Sequence, residues 1–369
     1  MIKITRPTLL LDETIARRNI KSMAAKARQH NVELIPHFKT HQSKRIGGWF
    51  REQGVSAITV SSVAMAGYFA DDGWQKITIA FPLNILEIKK IAELAAKVEL
   101  TVLITAPEQV RALQEHVEVF VKVLIEIDTG DHRSGLPANE PQQIRQLIDL
   151  LAGTQHRFKG FYSHFGHTYK AANGREVAAI YHAALQPLTD LRFGFADTHP
   201  EIHLGDTPSA SLSKDFTGVT ALHAGNFVFY DLTQVQIGSC REEDIAVALA
   251  CPVVGKNSHR QELVIYGGGI HLSKESLPDR ETGKHSYGKI VLLTGDHWSG
   301  ALPGCYVRSL SQEHGIVQVT PDVLAQITPG DVIGILPVHA CMTADTMAGY
   351  RNFKGEKLDH FNACRWPAG

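Results

Sequence analysis

Charge of either sign is what this sequence has least in excess. Lysine and arginine total 37 against 38 aspartates and glutamates. A nucleic-acid backbone or an anionic membrane surface therefore has no electrostatic claim on the chain. Long apolar runs are missing too, and none approaches the ~20 residues that a membrane-spanning helix needs. The opening Met1-Ile2-Lys3-Ile4-Thr5-Arg6-Pro7 lacks the charged-then-apolar layout of a secretion signal. Cysteine is scarce, odd in number and scattered, at Cys240, Cys251, Cys305, Cys341 and Cys364. That argues against a disulfide framework and for a reducing compartment, so a cytoplasmic protein is expected. Repeats, low-complexity tracts and long linkers are likewise absent. What is present is material for a large core, 44% hydrophobic, and 19 histidines, more than a core needs.

The stretch with the most chemistry is Pro36-His37-Phe38-Lys39-Thr40-His41. It follows a helical run, Ile15 to His30, and a strand-like Val32-Glu33-Leu34-Ile35. Lys39 is thus expected at the C-terminal mouth of a strand, the rim where an α/β barrel collects its catalytic groups. A lysine in a partly apolar, partly basic mouth loses its proton more easily, and only the neutral amine attacks a carbonyl.

From residue 30 to about 231, strand-like and helix-like runs alternate. Strands are expected at Leu34–Lys39, Ala57–Ser62, Lys76–Pro82, Leu100–Thr105, Val121–Asp128, Lys159–His164, Ile202–Gly205 and Phe227–Asp231. Short apolar runs bounded by turn residues are the mark of buried parallel strands. Eight of them alternating with helices predict a (β/α)8 TIM barrel over residues 1–235, with a doubly wound open sheet as the alternative. Beyond 235 the rhythm turns to strands at Ala246–Val254, Glu262–Tyr266, Lys289–Thr294, Gly315–Val319 and Val332–Leu336, with one short helix near Met342–Tyr350. Residues 236–369 are therefore expected to form a β-rich C-terminal domain.

Several polar residues are expected at the barrel's rim. Asp128-Thr129-Gly130-Asp131-His132-Arg133 puts an arginine on the loop after a strand, where its planar fork suits a phenolate or carboxylate. Tyr162 is a plausible ring contact, and His164 and His167 are candidate acid/base groups. Gly205-Asp206-Thr207-Pro208-Ser209 and His223-Ala224-Gly225-Asn226 are small-residue loops of the kind that bind phosphate. Tyr266-Gly267-Gly268-Gly269 is either a similar loop or a tight turn. In Pro337-Val338-His339-Ala340-Cys341, imidazole and thiol stand two residues apart. Either they hold one metal ion, for which zinc is the natural choice, or a buried Cys lies beside a chance His. Ser311-Gln312-Glu313-His314-Gly315 is either an acid–His pair backing the metal ligands or a polar hairpin turn.

Taken in order, these segments resemble the D-threonine aldolase and D-serine dehydratase family, fold-type III pyridoxal-phosphate enzymes with an alanine-racemase-like barrel. The resemblance begins at Arg6-Pro7-Thr8-Leu9-Leu10-Leu11-Asp12 and includes Gly225-Asn226-Phe227-Val228-Phe229-Tyr230-Asp231. It implies that Lys39 holds the pyridoxal 5'-phosphate covalently, that Arg133 lies near its phenolic oxygen and that Tyr162 packs beside it. Thr207 and Gly225-Asn226 fall in the phosphate loops. His339 and Cys341 match the family's divalent-metal site, zinc first, with manganese or magnesium as alternatives. His167, with Tyr162 and Lys39, is the expected catalytic set. A small D-amino acid as substrate and a homodimer are further implications, with neither a nucleic-acid nor a membrane partner.

The chemistry implied is lyase chemistry on a β-hydroxy D-amino acid. If Lys39 takes the Cα proton, hydroxide leaves and the result is a dehydratase. If the hydroxyl loses its proton first, Cα–Cβ cleaves as in a retro-aldol. Two other readings stand beside it: an amino-acid racemase, which needs a second base and no metal, and a non-enzymatic pyridoxal-phosphate carrier.

Overall fold

The computed structural model describes residues 3–278 and 283–362; Cys364 lies outside the described residues. The chain divides into two compact units, one of Lys21–Lys39 with Gly47–Gly225, the other of Met1–Ile20, Thr40–Ile46 and Asn226–Gly369.

The first unit is a parallel barrel. Around it run Glu33–Leu34, Ala57–Val60, Lys76–Pro82, Glu99–Ile104, Lys122–Asp128, Arg157–Ser163, Glu201–Leu204 and Ala221–Leu222, the last pairing with the first. The ring closes between the first two strands through an isolated parallel bridge, His37 to Thr59. An open doubly wound sheet is thereby excluded. Ala57–Val60 is buried at every position, as a strand covered on both faces must be. Pro141–Ala152 turns Ile144, Leu147, Ile148 and Leu151 inward, the stripe of a helix lying on a sheet.

Two strand expectations need correcting. The first barrel strand ends at Leu34 instead of Lys39, because Pro36 has no N–H to give the ladder. Single bonds carry the segment onward: Ile35 N–H to Leu222 O, His37 N–H to Ala224 O and Phe38 N–H to Thr59 O. The eighth strand is Ala221–Leu222, not Phe227–Asp231, which instead holds the 3-10 turn Asn226–Val228 and the cap of helix Leu232–Ile237. Phe227, Val228 and Phe229 are fully buried all the same, and a short apolar run does not reveal whether its period is a strand's or a helix's. The loop at residues 223–226 consequently follows the last strand and lies at its C-terminal end.

The second unit is an antiparallel sheet that curls on itself. Val247–Asn257, Glu262–Tyr266, His314–Gln318, Tyr306–Leu310, Gly288–Leu292 and Val332–Pro337 form a closed ring, since Val247–Asn257 pairs with both Val332–Pro337 and Glu262–Tyr266. A register shift between Val253 and Gly255 bends that long strand around the corner. Tyr306–Leu310 was not expected from the sequence, and the short helix runs Ala340–Met347. A strand at Thr8–Leu11 was also unexpected; it pairs antiparallel with Val247–Ala250 and parallel with Tyr350–Asn352.

Candidate active site

In the barrel unit, Lys39 is exposed just beyond the first strand, and its N–H donates to His37 Nδ1 at 3.3 Å. The neighbouring Phe38 is the anchor: fully buried, it meets Phe50, Phe69 and Trp74 at ring separations of 5.1, 5.0 and 5.2 Å. Gly47 has no Cβ because one would stand 3.1 Å from the Phe38 ring.

Arg133 is exposed on the turn after Lys122–Asp128. Asp128 Oδ1 organises that turn by accepting the N–H groups of Gly130 and His132, at 2.9 and 3.1 Å. Behind it Glu126, 3% exposed, accepts Ser134 Oγ at 2.8 Å through Oε1, while Oε2 has no partner among the described residues. Burial pushes the Glu126 carboxyl up, against the pull of Ser134 and Arg133. Nothing in the local sequence marks this glutamate as a site residue.

Tyr162 is 3% exposed and its hydroxyl lies against Gly205, where any Cβ would collide with it. Burial first, then Glu126, raise its pKa, with Arg133 opposing, so the phenol keeps its proton. His164 Nδ1 bonds to Gly205 O, and its ring stacks on Tyr169. Burial, then the Arg133 and Lys39 charges, bring it down to about 3, a neutral imidazole at any working pH. His167 is half-buried beside Gly130; burial lowers its pKa while Asp131 and Asp128 oppose. The two histidines therefore occupy different surroundings.

The loop at 205–209 opens into Thr207–Leu212, capped by Asp206, whose Oδ2 accepts Ser209 N–H at 2.7 Å. Thr207 N–H donates to the Tyr169 hydroxyl at 3.1 Å. Thr207 Oγ1 and Ser209 Oγ are buried with no partner among the described residues. Gly225, the last residue of this unit, is buried.

In the β unit, His339 stands at the N-cap of Ala340–Met347 and Cys341 lies in its first turn. Glu275 Oε2 is 2.7 Å from His339 Nδ1. Cys341 Sγ lies 3.3 Å from Thr40 Oγ1 and 3.5 Å from Asn226 Nδ2. The Asn226 side chain, expected in a phosphate loop, is thus directed to Cys341 and to Asp231 Oδ2 at 2.7 Å. Burial opposes charge on both partners of the His339–Cys341 pair, but their mutual hydrogen bond wins. His339 is raised to about 11, with help from Glu275, and Cys341 is lowered. No cluster of three or more His, Cys, Asp or Glu able to hold a metal occurs among the described residues. Ser311–Gly315 is a hairpin turn, Ser311 N–H to His314 O at 2.8 Å, and Gly268 packs so closely on the Gln312 carbonyl that a Cβ has no room.

Residues 11–231 match the family described as alanine racemase, N-terminal domain, and residues 246–351 match "Putative serine dehydratase domain". The chain is 27% identical over 365 residues to D-threo-3-hydroxyaspartate dehydratase of Delftia sp. (strain HT23), covering 95% of this chain and 94% of that one. A solved structure of that dehydratase superposes with a TM-score of 0.89, covering 97% of this chain and 98% of the other. D-serine dehydratase of Dictyostelium discoideum is 26% identical, with 94% of this chain and 93% of the relative covered. D-threonine aldolase of Arthrobacter sp is 25% identical, with 92% and 86% covered. With the barrel and the β unit both matched, the chain belongs to the D-serine dehydratase and D-threonine aldolase family of pyridoxal-phosphate lyases, built on the alanine-racemase-type barrel.

Proposed function

We propose that this protein is a metal-dependent dehydratase of β-hydroxy D-amino acids, of the D-serine or D-threo-3-hydroxyaspartate type. One observation carries the choice of a metal-assisted lyase over a racemase. Cys341 accepts a hydrogen bond from Asn226, shares one with the Thr40 hydroxyl and is paired with His339, whose Nδ1 is already taken by Glu275. A ring held by a carboxylate at one nitrogen presents the other to a metal, and a thiol poised as thiolate is the soft partner that zinc prefers. Racemisation asks for no such pair. Two protein donors leave positions for water and substrate, as in a catalytic site.

The barrel residues fit pyridoxal phosphate. Lys39 is exposed at a strand's mouth, and the unpaired hydroxyls of Thr207 and Ser209 offer donors to phosphate oxygens. When bound, the cofactor supplies an electron sink for the bond broken at Cα. His339 and Cys341 would hold a divalent metal, which would supply Lewis acidity toward a β-hydroxyl. Lys39 Nζ, as free amine, takes the Cα proton. Tyr162 keeps its phenolic proton and donates it in a hydrogen bond. Arg133, exposed on its turn, presents a planar fork suited to the cofactor's phenolate. His167, whose surroundings include two carboxylates, is the better acid/base candidate; His164 stays neutral and structural.

The retro-aldol outcome begins with loss of the hydroxyl proton and breaks Cα–Cβ in place of Cβ–O, and the aldolase relative supports it as the second reading. Assays with D-serine, D-threonine and D-threo-3-hydroxyaspartate separate them: ammonia and a keto acid mark dehydration, glycine and an aldehyde mark cleavage. Chelation, His339→Ala and Cys341→Ala should each abolish both activities while the cofactor's visible band persists. Full lyase activity without metal would overturn the proposal. The homodimer is also part of it, supported by the exposed apolar Phe81, Ile85 and Leu86 on the barrel unit; sedimentation at a single-chain mass would remove it.

A further inference from the structure

Inside the barrel unit a chain of hydrogen bonds links four residues of two strands and a loop. Glu201 Oε2 is 2.9 Å from His203 Nε2, His203 Nδ1 is 2.8 Å from His223 Nε2, and His223 Nδ1 is 2.5 Å from Thr59 Oγ1. Both rings are buried, at 0% and 1% exposure. The chain has a fixed direction. Thr59 spends its one hydroxyl proton on Ile35 O, at 2.8 Å, so toward His223 it can only accept. His223 Nδ1 must therefore carry a proton. The bond between the rings needs a second proton, and the bond to Glu201 a third, because a carboxylate only accepts. Two neutral imidazoles hold two protons between them. The chain is satisfied only if one more is present.

We propose that Glu201, His203 and His223 hold one excess proton in the barrel core and thereby act as positioning residues for Tyr162 and for the segment that ends in Lys39. The proton belongs on a ring, since the His203 bond and Lys159, 3.4 Å from Glu201, keep Glu201 ionised despite its partial burial. His203 is the ring that touches the carboxylate, so the charge is balanced where it sits. Burial works against it and holds both rings below the ordinary histidine range on balance. Lys159 acts in the same sense on both and His37 on His223, while Tyr162 on the neighbouring strand contributes an uncharged ring. Against these stands the cost of leaving a buried polar atom unpaired, and a charged pair that is fully bonded escapes that cost.

The positioning follows from what the chain touches. The His223 ring meets Tyr162 edge-on at 5.2 Å. Thr59 accepts Phe38 N–H and donates to Pro36 O, and Ala224, next to His223, accepts His37 N–H. Both ends of the Pro36–Phe38 segment are thus pinned by residues of the chain or their neighbours. A cation held in the same core also favours the uncharged amine at Lys39.

The positioning half rests on the reading of Lys39 as the cofactor lysine; the proton count does not. Histidine-selective 15N spectra of the holoenzyme at pH 8, assigned with His203→Gln and His223→Asn, should show one imidazolium and one neutral ring. In Glu201→Gln the carboxamide donates to His203 Nε2, the chain is satisfied by two neutral rings, and the imidazolium signal should vanish. Glu201→Gln removes the carboxylate and the extra proton together and leaves the net charge unchanged, whereas His203→Gln loses the cation and keeps the carboxylate. In His203→Gln the pH titration of the bound cofactor's visible band should therefore move up by about one unit, the effect of removing a single charge in a protein interior. Two neutral rings in the wild-type protein overturn the proton count, whatever the variants do. An imidazolium that disappears in Glu201→Gln, with an unmoved titration in His203→Gln, overturns the positioning role alone. Absence of any visible band overturns the reading of Lys39, and the ring signals then decide the proton count on their own.

Discussion

At the scale of single residues, exposure and charge separate the working groups from the supporting ones. Lys39 and Arg133 are exposed, whereas Tyr162 and Glu126 are buried behind them. If Lys39 carries the cofactor, borohydride should fix the mass on Lys39 and on no other lysine, and Lys39→Ala should abolish both label and visible band. A label on Lys44 would end that assignment. Arg133→Ala should lower turnover on the order of tenfold, near 1.4 kcal/mol of barrier, and shift the visible band. Its stability should stay within about 0.5 kcal/mol of wild type, since an exposed turn side chain touches little. A large stability loss with an unchanged band would make Arg133 structural instead. The groups that were legible in the sequence are those beside glycines, prolines and strand ends, where local chemistry declares itself. Glu126 and Glu275 were not, because each matters only through what it meets: Ser134 across a turn, and His339 from 64 residues away.

At the scale of elements, one capping carboxylate joins several pieces of the β unit. Asp231, 1% exposed, caps Leu232–Ile237 through Gln234 N–H at 3.0 Å. It also accepts Ala340 N–H at 3.0 Å and Asn226 Nδ2 at 2.7 Å, the two residues flanking Cys341 in space and in sequence. Asp231→Ala would strand all three donors, and a loss of about 2–4 kcal/mol in urea unfolding is expected. Asp231→Asn keeps an acceptor and should lose less than half as much; a loss under about 0.5 kcal/mol in the alanine variant would sink this account. Element legibility followed period. Lys76–Pro82 and Glu262–Tyr266 stand where their patterns put them, each bounded by turn residues. Phe227–Asp231 failed because five residues are too few to distinguish a strand from a buried turn. Thr8–Leu11 failed because its partners are hundreds of residues away, and no local pattern says which sheet an apolar tetrad will join.

At the scale of the whole molecule, buried imidazoles set the acid limit. Burial holds His41 and His164 at about 3 and His360 at about 4. Each has a folded pKa below its unfolded value, so the unfolded chain binds more protons between the two. Stability is complete above pH 6.5 and is lost as pH falls toward 4, by about 1.4 kcal/mol per group for each unit. The melting temperature should therefore drop steeply between pH 6.5 and 5, and a flat profile there would contradict the neutral assignment of these rings. The strand Thr8–Leu11 carries a different kind of consequence, one of timing. It is synthesised long before both of its partners, since the antiparallel one begins at Val247 and the parallel one is Tyr350–Asn352. At ~5–20 residues per second the wait for the first partner is on the order of ten to fifty seconds. Leu9, Leu10 and Leu11 pass that interval unpaired, while all eight barrel strands are already synthesised. A nascent chain arrested at residue 240 should be cut by protease at Thr8–Leu11, and one arrested well after Tyr350–Asn352, with that strand clear of the exit tunnel, should not.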